Sequence, residues 1–214
     1  MAEQSALYKE RNANMTSKIE SNKKQKKDAL FNSAFDIFTN EGFSKSSISD
    51  IVNRAGVAKG TFYLYFTDKY DIRNKLTAKK AGLVFQKALD ALEEHGYEGS
   101  FEDWIIFIVN NILDQFTENK SLLTFISKNL SWGIFKDAIT GADADSEVDF
   151  DAYFEKILAV SNRDAHKLEI LLFLVIEFVS STCYSSILYS EPVPISELKP
   201  YIFRTVRFIV RDNV

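Results

Sequence analysis

The chain has little of what builds turn-rich or disulfide-linked folds. Its 214 residues include 8 glycines, 3 prolines and a single cysteine, Cys183. One cysteine excludes an internal disulfide, and so few glycines and prolines argue against an all-β fold with many tight turns. The first residues, Met1 to Gln4, lack the basic-then-apolar order of a secretory signal. We therefore expect a protein of the reducing cytoplasm.

Histidine is equally scarce, with His95 and His166 as the two examples. Neither belongs to a pattern of Cys, His and Asp with metal-ligand spacing. The sequence also has no phosphate-binding glycine loop and no nucleophile elbow. We therefore expect no enzymatic activity, no metal and no cofactor, and we interpret both histidines as surface or capping residues.

One apolar run is long enough to cross a bilayer. It extends from Ile170 to Ser190 and contains Glu177, whose carboxylate would cost roughly 3 kcal/mol at membrane depth. Its second half is rich in serine and threonine, and no basic segment follows it. A helix that is apolar on most sides is otherwise buried in protein or in a subunit interface. We therefore predict a buried helix and no membrane span.

The net charge of −4 is unevenly distributed. Residues 1–80 contain 15 Lys and Arg against 9 Asp and Glu, a net of +6, whereas the rest contain 11 against 21, a net of −10. Such asymmetry is typical of a chain in which one part meets a polyanion. Part of the excess lies in the lysine-rich segment 23–27, which a solvated tail would also explain, so charge alone is a weak argument.

Apolar periodicity predicts an all-α chain in three regions. Residues 1–22 are polar and without periodicity, which favours a flexible leader. Residues 23–80 and 81–214 form two helical domains. The predicted helices cover about 24–41, 47–55, 58–66, 68–95, 101–117, 121–138, 150–160, 164–189 and 195–211.

Two short helices joined by a glycine turn lie between residues 46 and 66. Ser47 and Asp50 have the spacing of an N-terminal cap, and Gly56 permits the positive φ that the turn needs. Such a pair forms a helix-turn-helix, whose second helix can enter the DNA major groove. On pattern alone, a purely structural three-helix motif stays the alternative. The apolar residues that would join the helices are Ile48, Ile51, Val52, Val57, Phe62 and Phe66.

This segment closely resembles the DNA-binding domain of the Tet-repressor (TetR) family. The likeness covers about residues 24–80 and includes the helix that ends in Asn40-Glu41-Gly42-Phe43. The family elements follow in order as Ala55-Gly56-Val57, Lys59-Gly60-Thr61 and Tyr63-Leu64-Tyr65-Phe66. The resemblance implies an N-terminal three-helix DNA-binding domain, followed by a C-terminal helical-bundle domain for effector binding and dimerisation.

The resemblance also implies which side chains meet DNA. Residues of the second helix would cap it, contact phosphate and reach a base, and the front of the third helix would read the groove. The tyrosines and the lysine that opens the fourth helix would bind phosphates. In chain order, the implied DNA-binding residues are Ser47, Ser49, Lys59, Gly60, Thr61, Tyr63, Tyr65 and Lys69.

Two positions depart from the family pattern. Ala58 stands where a serine is frequent, so one possible hydrogen bond is lost. Leu64 stands where a polar or aromatic side chain is common, and base preference there could rest on apolar contact with a thymine methyl group. Neither departure argues against DNA binding, but both leave the operator sequence undetermined.

For the second domain, the family analogy implies a homodimer through the last two long helices. A two-fold dimer would place its recognition helices about 34–36 Å apart and would bind a palindromic operator. The sequence offers matching apolar helical faces in both segments. They comprise Leu171, Leu174, Val175, Phe178 and Val179, and later Ile202, Val206 and Ile209.

Aromatic residues are plentiful in the second domain, where they favour either a packed core or an aromatic-lined pocket for a small apolar or amphipathic effector. Glu177 is the best polar candidate, and it could instead pair with Arg204 or Arg207 across a subunit interface. We favour the interface for this carboxylate. The candidate pocket residues are Trp104, Phe107, Phe125, Trp132, Phe173, Glu177 and Tyr184.

The sequence thus predicts a ligand-responsive repressor that binds DNA as a homodimer. Two alternatives stay open at this point. The same fold could answer to a protein partner through the acidic stretch 143–151, in which case a closed cavity of roughly 300 Å³ or more should be missing. The protein could also activate transcription instead of repressing it.

Overall fold

The computed structural model describes residues 2–96, 99–139 and 150–212, with the side chains of 2–17, 137–139, 150–154, 156 and 212 left aside. Every regular element in these ranges is a helix, which confirms the all-α class. The helices are α1 (Ala2–Asn40), α2 (Ile48–Ala55), α3 (Lys59–Phe62), α4 (Lys69–Glu94), α5 (Phe101–Glu118), α6 (Lys120–Asn129), α7 (Trp132–Ile139), α8 (Phe150–Ser161), α9 (Ala165–Tyr189) and α10 (Ile195–Asp212).

The chain divides into two compact units, with the boundary inside α4. The first unit ends at Leu76 and the second begins at Thr77, whereas the sequence placed the boundary after residue 80. The acidic stretch 143–151, named above as a possible partner site, lies outside the residues whose side chains are described.

The core of the first unit is built from aromatic rings and aliphatic side chains of α1 to α4. Phe62 and Phe66 are almost completely buried. Their ring centroids lie 5.4 Å apart, and Phe31 meets Phe66 edge-on at 5.1 Å. Such edge-to-face pairs add to the gain from burial. The apolar pattern of the sequence therefore fixes how α3 lies against α1.

The leader does not have the irregular structure that we expected. Helix α1 begins at Ala2 and continues without interruption to Asn40. Residues 2–40 contain no glycine or proline, and they are rich in Ala, Glu, Lys and Gln, which lose little entropy in a helix. A helix already nucleated by its packed C-terminal half extends at little cost. Low apolar periodicity therefore predicted exposure correctly for residues 18–26 but not their backbone conformation.

Two other predicted helices are shorter than expected. The segment 121–138 is divided at Leu130, whose backbone is extended (φ −73°, ψ 128°). The Ser131 hydroxyl then accepts the Ile134 amide at 3.4 Å and starts α7. Helix α3 ends at Phe62, because the amides of Leu64 and Tyr65 bond to carbonyls three residues back, at 3.3 and 3.0 Å. These tighter turns end the α-helical pattern without a proline or glycine to mark the position.

In the second unit, α9 is the central helix. Its buried residues are Leu168, Leu171, Leu172, Val175, Val179, Cys183, Ser186 and Ile187, and they recur at helical spacing along one side. By length and composition α9 is the one helix among the described residues that could cross a membrane. The buried stripe accords with the predicted core helix.

Ionic contacts join α5 to α10. Arg207 lies 3.0 Å from Asp103, and Arg211 lies 2.9 Å from Glu102. Lys199 of α10 also donates to Asn110 at 2.9 Å and contacts Asp114. The pKa of Asp103 is lowered, first by the Ser100 hydroxyl, which donates at 2.7 Å, and then by Arg207. These contacts fix the register of the two helices.

Candidate DNA-binding site and effector cavity

The start of α2 is fixed by a reciprocal cap. The Asp50 amide donates to the Ser47 hydroxyl at 3.2 Å, and the Ser47 amide donates to the Asp50 carboxylate at 2.8 Å. The Ser47 hydroxyl also donates to Asp50 at 2.7 Å. These bonds lower the pKa of Asp50. Because the first turn of a helix has amides without helical partners, those of Ile48 and Ser49 are the ones that α2 can present to a phosphate.

The turn between α2 and α3 has the conformation that its glycine predicts. Gly56 has φ +67° and ψ 31°, the left-handed region that glycine adopts without a steric penalty. The Val57 amide donates to the Val52 carbonyl at 3.1 Å, and the Gly56 amide donates to Asn53 at 3.3 Å. This closure ends α2 and directs the chain into α3, confirming the predicted helix-turn-helix.

The front of α3 presents a small, mostly uncharged surface to solvent. Lys59 and Gly60 are exposed, and a methyl group added to Gly60 would meet nothing within 4 Å. Tyr63 is 53% exposed and Leu64 is 78% exposed. Leu64 is the most exposed large apolar side chain among the described residues, so burial in a core does not explain it. An exposed leucine beside a tyrosine in the turn that follows this helix is suited to contact with a base edge.

Two of the predicted phosphate-binding side chains have hydrogen-bond partners within the DNA-free protein. The Tyr65 hydroxyl, on a half-buried side chain, donates to the Lys23 carbonyl of α1 at 3.2 Å. Lys69 directs its ammonium to the carbonyls of Phe43 and Ser46, at 2.7 and 2.8 Å. Family position had indicated phosphate binding for both, but it carries no information on intramolecular partners.

The remaining implied residues stay available for contact with DNA. Ser49, Lys59, Gly60 and Tyr63 are exposed, and Thr61 is half-buried. Ser47 is also exposed, although its hydroxyl is part of the cap. The Ser-x-x-Asp spacing predicted Asp50 as a cap residue, and its carboxylate holds that place at the N-terminus of α2.

The second unit contains a partly open cavity of about 560 Å³, within the range of small-molecule sites. Its walls come from α4 to α9 and are mainly aliphatic, with polar groups from the end of α6, the 130–131 break and one side of α9. The apolar lining includes Ala81, Val84, Phe85, Ile105, Ile108, Val109, Ile112, Phe116, Ile126, Leu130, Phe135, Ile157, Leu172, Val175, Ile176 and Val179. The polar lining consists of Ser127, Lys128, Ser131, Glu177, Ser180 and Ser181.

Three of the seven predicted pocket residues line this cavity, namely Trp132, Glu177 and Tyr184. The other four do not. Phe125 is 3% exposed and packs in the core, whereas Phe173 is 38% exposed and meets Trp132 edge-on at 5.3 Å. Phe107 packs against the His95 ring at 5.4 Å. Trp104 is half-buried, and its indole Nε1 is buried without a partner among the described residues.

This outcome corrects the aromatic pocket that we predicted. Aromatic residue type does not determine whether a side chain points to a void, to the core or to solvent. Ten of the 24 lining residues are isoleucine or valine, and three of the five aromatic ones, Phe85, Phe116 and Phe135, were not among the predicted pocket residues. Among the described residues, no side chain pairs with the exposed Glu177 carboxylate, while Arg207 pairs with Asp103.

Cys183 lies close to this site but is not suited to chemistry. It is fully buried in α9, and desolvation raises the pKa of its thiol to about 12. Because the thiolate is the reactive form, we expect no measurable reaction of the native protein with Ellman's reagent at pH 8. The same protein in guanidinium chloride should react completely. Rapid modification of the folded chain would show that α9 opens in solution.

Comparisons with known proteins agree with this geometry. Residues 27–76 match the family model described as bacterial regulatory proteins, tetR family. An uncharacterized HTH-type transcriptional regulator, YvdT of Bacillus subtilis, is 48% identical over 44 residues, which are 21% of this chain and 23% of that protein. The fatty acid metabolism regulator protein of the same organism is 33% identical over 72 residues, 34% of this chain and 37% of the relative.

The likeness to solved structures extends over both units. The transcriptional regulator FadR of B. subtilis, solved in complex with stearoyl-CoA, gives a TM-score of 0.58 at 16% identity, covering 87% of this chain and 98% of that one. At this identity the likeness shows a shared fold. The sequence matches span about a quarter and just over a third of the curated relatives' own length. The helix-turn-helix segment, residues 27–76, therefore belongs to the tetR family of bacterial regulatory proteins.

Proposed function

We propose that this protein is a cytoplasmic, ligand-responsive repressor that binds a palindromic operator as a homodimer. One observation carries the proposal: a capped helix-turn-helix presents the exposed front of α3 in the first unit, and the second unit contains an apolar cavity of about 560 Å³. A ligand-controlled regulator needs a surface that contacts DNA and a cavity that binds a ligand, and this chain has a candidate for each.

In this proposal, phosphate contacts position the protein and α3 reads the sequence. Lys59 supplies a cation, Tyr63 donates its hydroxyl, and the first-turn amides of α2 face a phosphate. Gly60 lets the backbone approach the duplex, and Leu64 contacts a thymine methyl group. The operator is therefore expected to contain a thymine in each half-site opposite Leu64.

Most of the apolar residues predicted for the dimer faces are buried within the second unit, namely Leu171, Val175, Val179, Ile202 and Val206. Dimerisation is therefore proposed through the other, exposed apolar side chains of α9 and α10. Ile170 and Phe173 of α9 are 44% and 38% exposed, and Tyr201 and Phe208 of α10 are 59% and 64% exposed. Exposed apolar groups in such number mark a protein-protein contact. Sedimentation at micromolar concentration should give twice the mass of one chain, 24.4 kDa. A monomer at that concentration would contradict the two-fold operator as well.

The effector is proposed to be an apolar or amphipathic molecule that favours the conformation without DNA. A relative that regulates fatty acid metabolism and a structural neighbour solved with stearoyl-CoA make fatty acyl-CoAs the first compounds to test. The aliphatic walls suit an acyl chain, and Lys128 among the polar lining groups suits its anionic end. Binding would shift the position of α4, whose residues belong to both units. The shift would separate the two helix-turn-helix segments of the dimer.

The proposal is tested by selecting bound sequences from a random DNA pool, with Tyr63→Ala/Lys59→Ala as the matched control. We expect wild-type protein to enrich a palindrome and the double variant to enrich nothing. Adding acyl-CoAs of graded length should then release the operator. If wild-type protein shows merely salt-sensitive binding to all sequences, specific DNA recognition by this chain alone is wrong.

The cavity also bears on the alternative of a protein partner. That alternative predicted a second domain without a closed cavity of roughly 300 Å³, whereas the second unit has a partly open cavity of about 560 Å³. The observation therefore favours a small molecule. Repression is distinguished from activation by a reporter driven from the selected operator, whose expression should rise when the protein is deleted.

A further prediction concerns the N-terminal part of α1. If lysines in this segment contact phosphates, deleting residues 1–22 should flatten the dependence of DNA affinity on salt concentration, since each lost contact lowers the slope. The measurement is a titration of the selected operator at several salt concentrations. An unchanged slope would assign all the phosphate contacts to the rest of the chain.

A further inference from the structure

We infer that the cavity of the second unit takes a single-chain amphiphile whose head group carries both an anion and a cation. The apolar chain lies inside the cavity, and the head group lies at its opening, where Lys128 and Glu177 supply the opposite charges. The inference rests on the proposed binding of an effector in this cavity and narrows the class of that effector.

The opening of the cavity is identified by which of its lining residues are exposed. Of the 24 lining residues four are exposed, and all four are polar. Two of them, Lys128 and Ser131, lie at the end of α6 and in the break that follows it. The other two, Glu177 and Ser181, lie in the middle of α9. Because the apolar lining residues are all buried or half-buried, the cavity opens to solvent between these two segments.

Several polar groups at this opening have no partner in the described part of the chain. The Lys128 ammonium and the Glu177 carboxylate form no ion pair there, either with each other or with another residue, and the hydroxyls of Ser181 and Tyr184 form no hydrogen bond. Glu177, Ser181 and Tyr184 follow one another at four and three residues along α9, so they lie on one face of the helix. A cation, an anion and two hydroxyls are therefore left for water or a ligand.

The two charges together determine which head group fits. An anionic head group gains from Lys128 but brings a like charge to the opening that Glu177 shares, and a cationic head group has the opposite balance. A head group with both charges gains from each residue. It also stays at the opening, because burial of a charge without a partner is costly, while the chain gains by leaving water for the apolar lining.

The test compares dodecyl amphiphiles by calorimetry on the full chain, below their micelle-forming concentrations. Dodecylphosphocholine carries both charges, whereas dodecyl phosphate and dodecyltrimethylammonium carry one each on the same chain. Dodecanoyl-CoA, the fourth ligand, is an acyl-CoA with anionic phosphates and no cation at neutral pH. We expect dodecylphosphocholine to bind about fivefold more tightly than either single-charge ligand, the contribution of one partly exposed ion pair.

Two variants, each with one charge removed, test the roles of the residues separately. Glu177→Gln should bind dodecylphosphocholine about fivefold more weakly and dodecyl phosphate more tightly. Lys128→Gln should weaken the binding of both of these ligands and strengthen that of dodecyltrimethylammonium. The matched controls Glu155→Gln and Lys167→Gln, which are exposed and lie outside the lining, should leave every affinity unchanged. A residue that merely shapes the opening would not change the preference according to ligand charge.

Tryptophan fluorescence reports which end of the ligand lies at the opening. Trp132 lines the cavity next to Ser131, whereas Trp104, the other of the two tryptophans, does not line it. In a Trp104→Phe background, an alkylphosphocholine brominated beside its head group should quench Trp132 more strongly than one brominated at the chain end. The opposite order would place the chain end at the opening and overturn the inferred orientation.

The remaining outcomes separate this inference from the proposed function. Tighter binding of dodecyl phosphate or dodecanoyl-CoA than of dodecylphosphocholine would reject the doubly charged head group and leave the proposed effector site in place. Sedimentation of Glu177→Gln as a monomer, with unchanged affinity for dodecylphosphocholine, would assign the carboxylate to the subunit interface and overturn the inference. If none of the four ligands binds, the proposed binding of an amphipathic effector fails together with the inference.

Discussion

Gly60→Glu is expected to abolish operator binding while leaving the protein folded. The position is exposed at the front of α3, and an added side chain meets nothing within 4 Å in the free protein. In the proposed complex, the same space is filled by DNA, and the carboxylate would lie against phosphates. Like charges brought together in an interface cost several kcal/mol, so operator affinity should fall by more than about 100-fold.

The matched control is Gly133→Glu in α7, where the added side chain also meets open space. Both variants should keep the wild-type circular dichroism and unfolding midpoint, since glycine is the poorer helix former. Gel-shift titrations with the selected operator give the comparison. Wild-type affinity in Gly60→Glu would mean that α3 does not face DNA, and the first unit would have to read it by another surface.

The second large effect is expected from filling the cavity. Val109 of α5 is 5% exposed and lines the cavity wall. Replacing it with tryptophan should occupy part of the volume that an effector needs, lowering effector affinity at least about tenfold, a loss of roughly 1.4 kcal/mol. Operator binding without effector should persist, so the variant should repress and fail to respond. Overpacking itself costs about 1–3 kcal/mol of stability.

Val160→Trp provides the control for this substitution, because Val160 is 40% exposed on α8 and does not line the cavity. Titration with stearoyl-CoA by calorimetry, and release of the operator by the same ligand, should be normal in the control and lost in Val109→Trp. Equal ligand affinity in both variants would place the effector site outside the cavity.

The helix-turn-helix could be predicted from sequence because its determinants are local. The cap requires Ser47 and Asp50 at a fixed spacing, and the turn requires the positive φ of Gly56. Residues that face a neighbouring helix repeat every three or four positions, so Phe62 and Phe66 could be assigned to the core. Each rule refers to residues within one or two helical turns, and the structure follows all of them.

The cavity could not be predicted in the same way, because it depends on how several helices pack. Isoleucine and valine have the same apolar character whether they fill a core or border a void, so Ile108 and Ile112 could not be predicted as cavity residues. The intramolecular partners of Lys69 could not be predicted either. A family motif does not record that its ammonium reaches carbonyls more than 20 residues earlier.

Helix α5 takes part both in the cavity wall and in the ionic contacts with α10. On one side it forms the cavity wall through Ile105, Ile108 and Val109, and on the other it is tied to α10 by the Asp103 and Glu102 ion pairs. We therefore expect a molecule that displaces α5 to displace α10 as well, the helix that carries the exposed Tyr201 and Phe208. Through α5 alone, the size of the bound molecule would then determine how far the surface that a second subunit would touch is displaced.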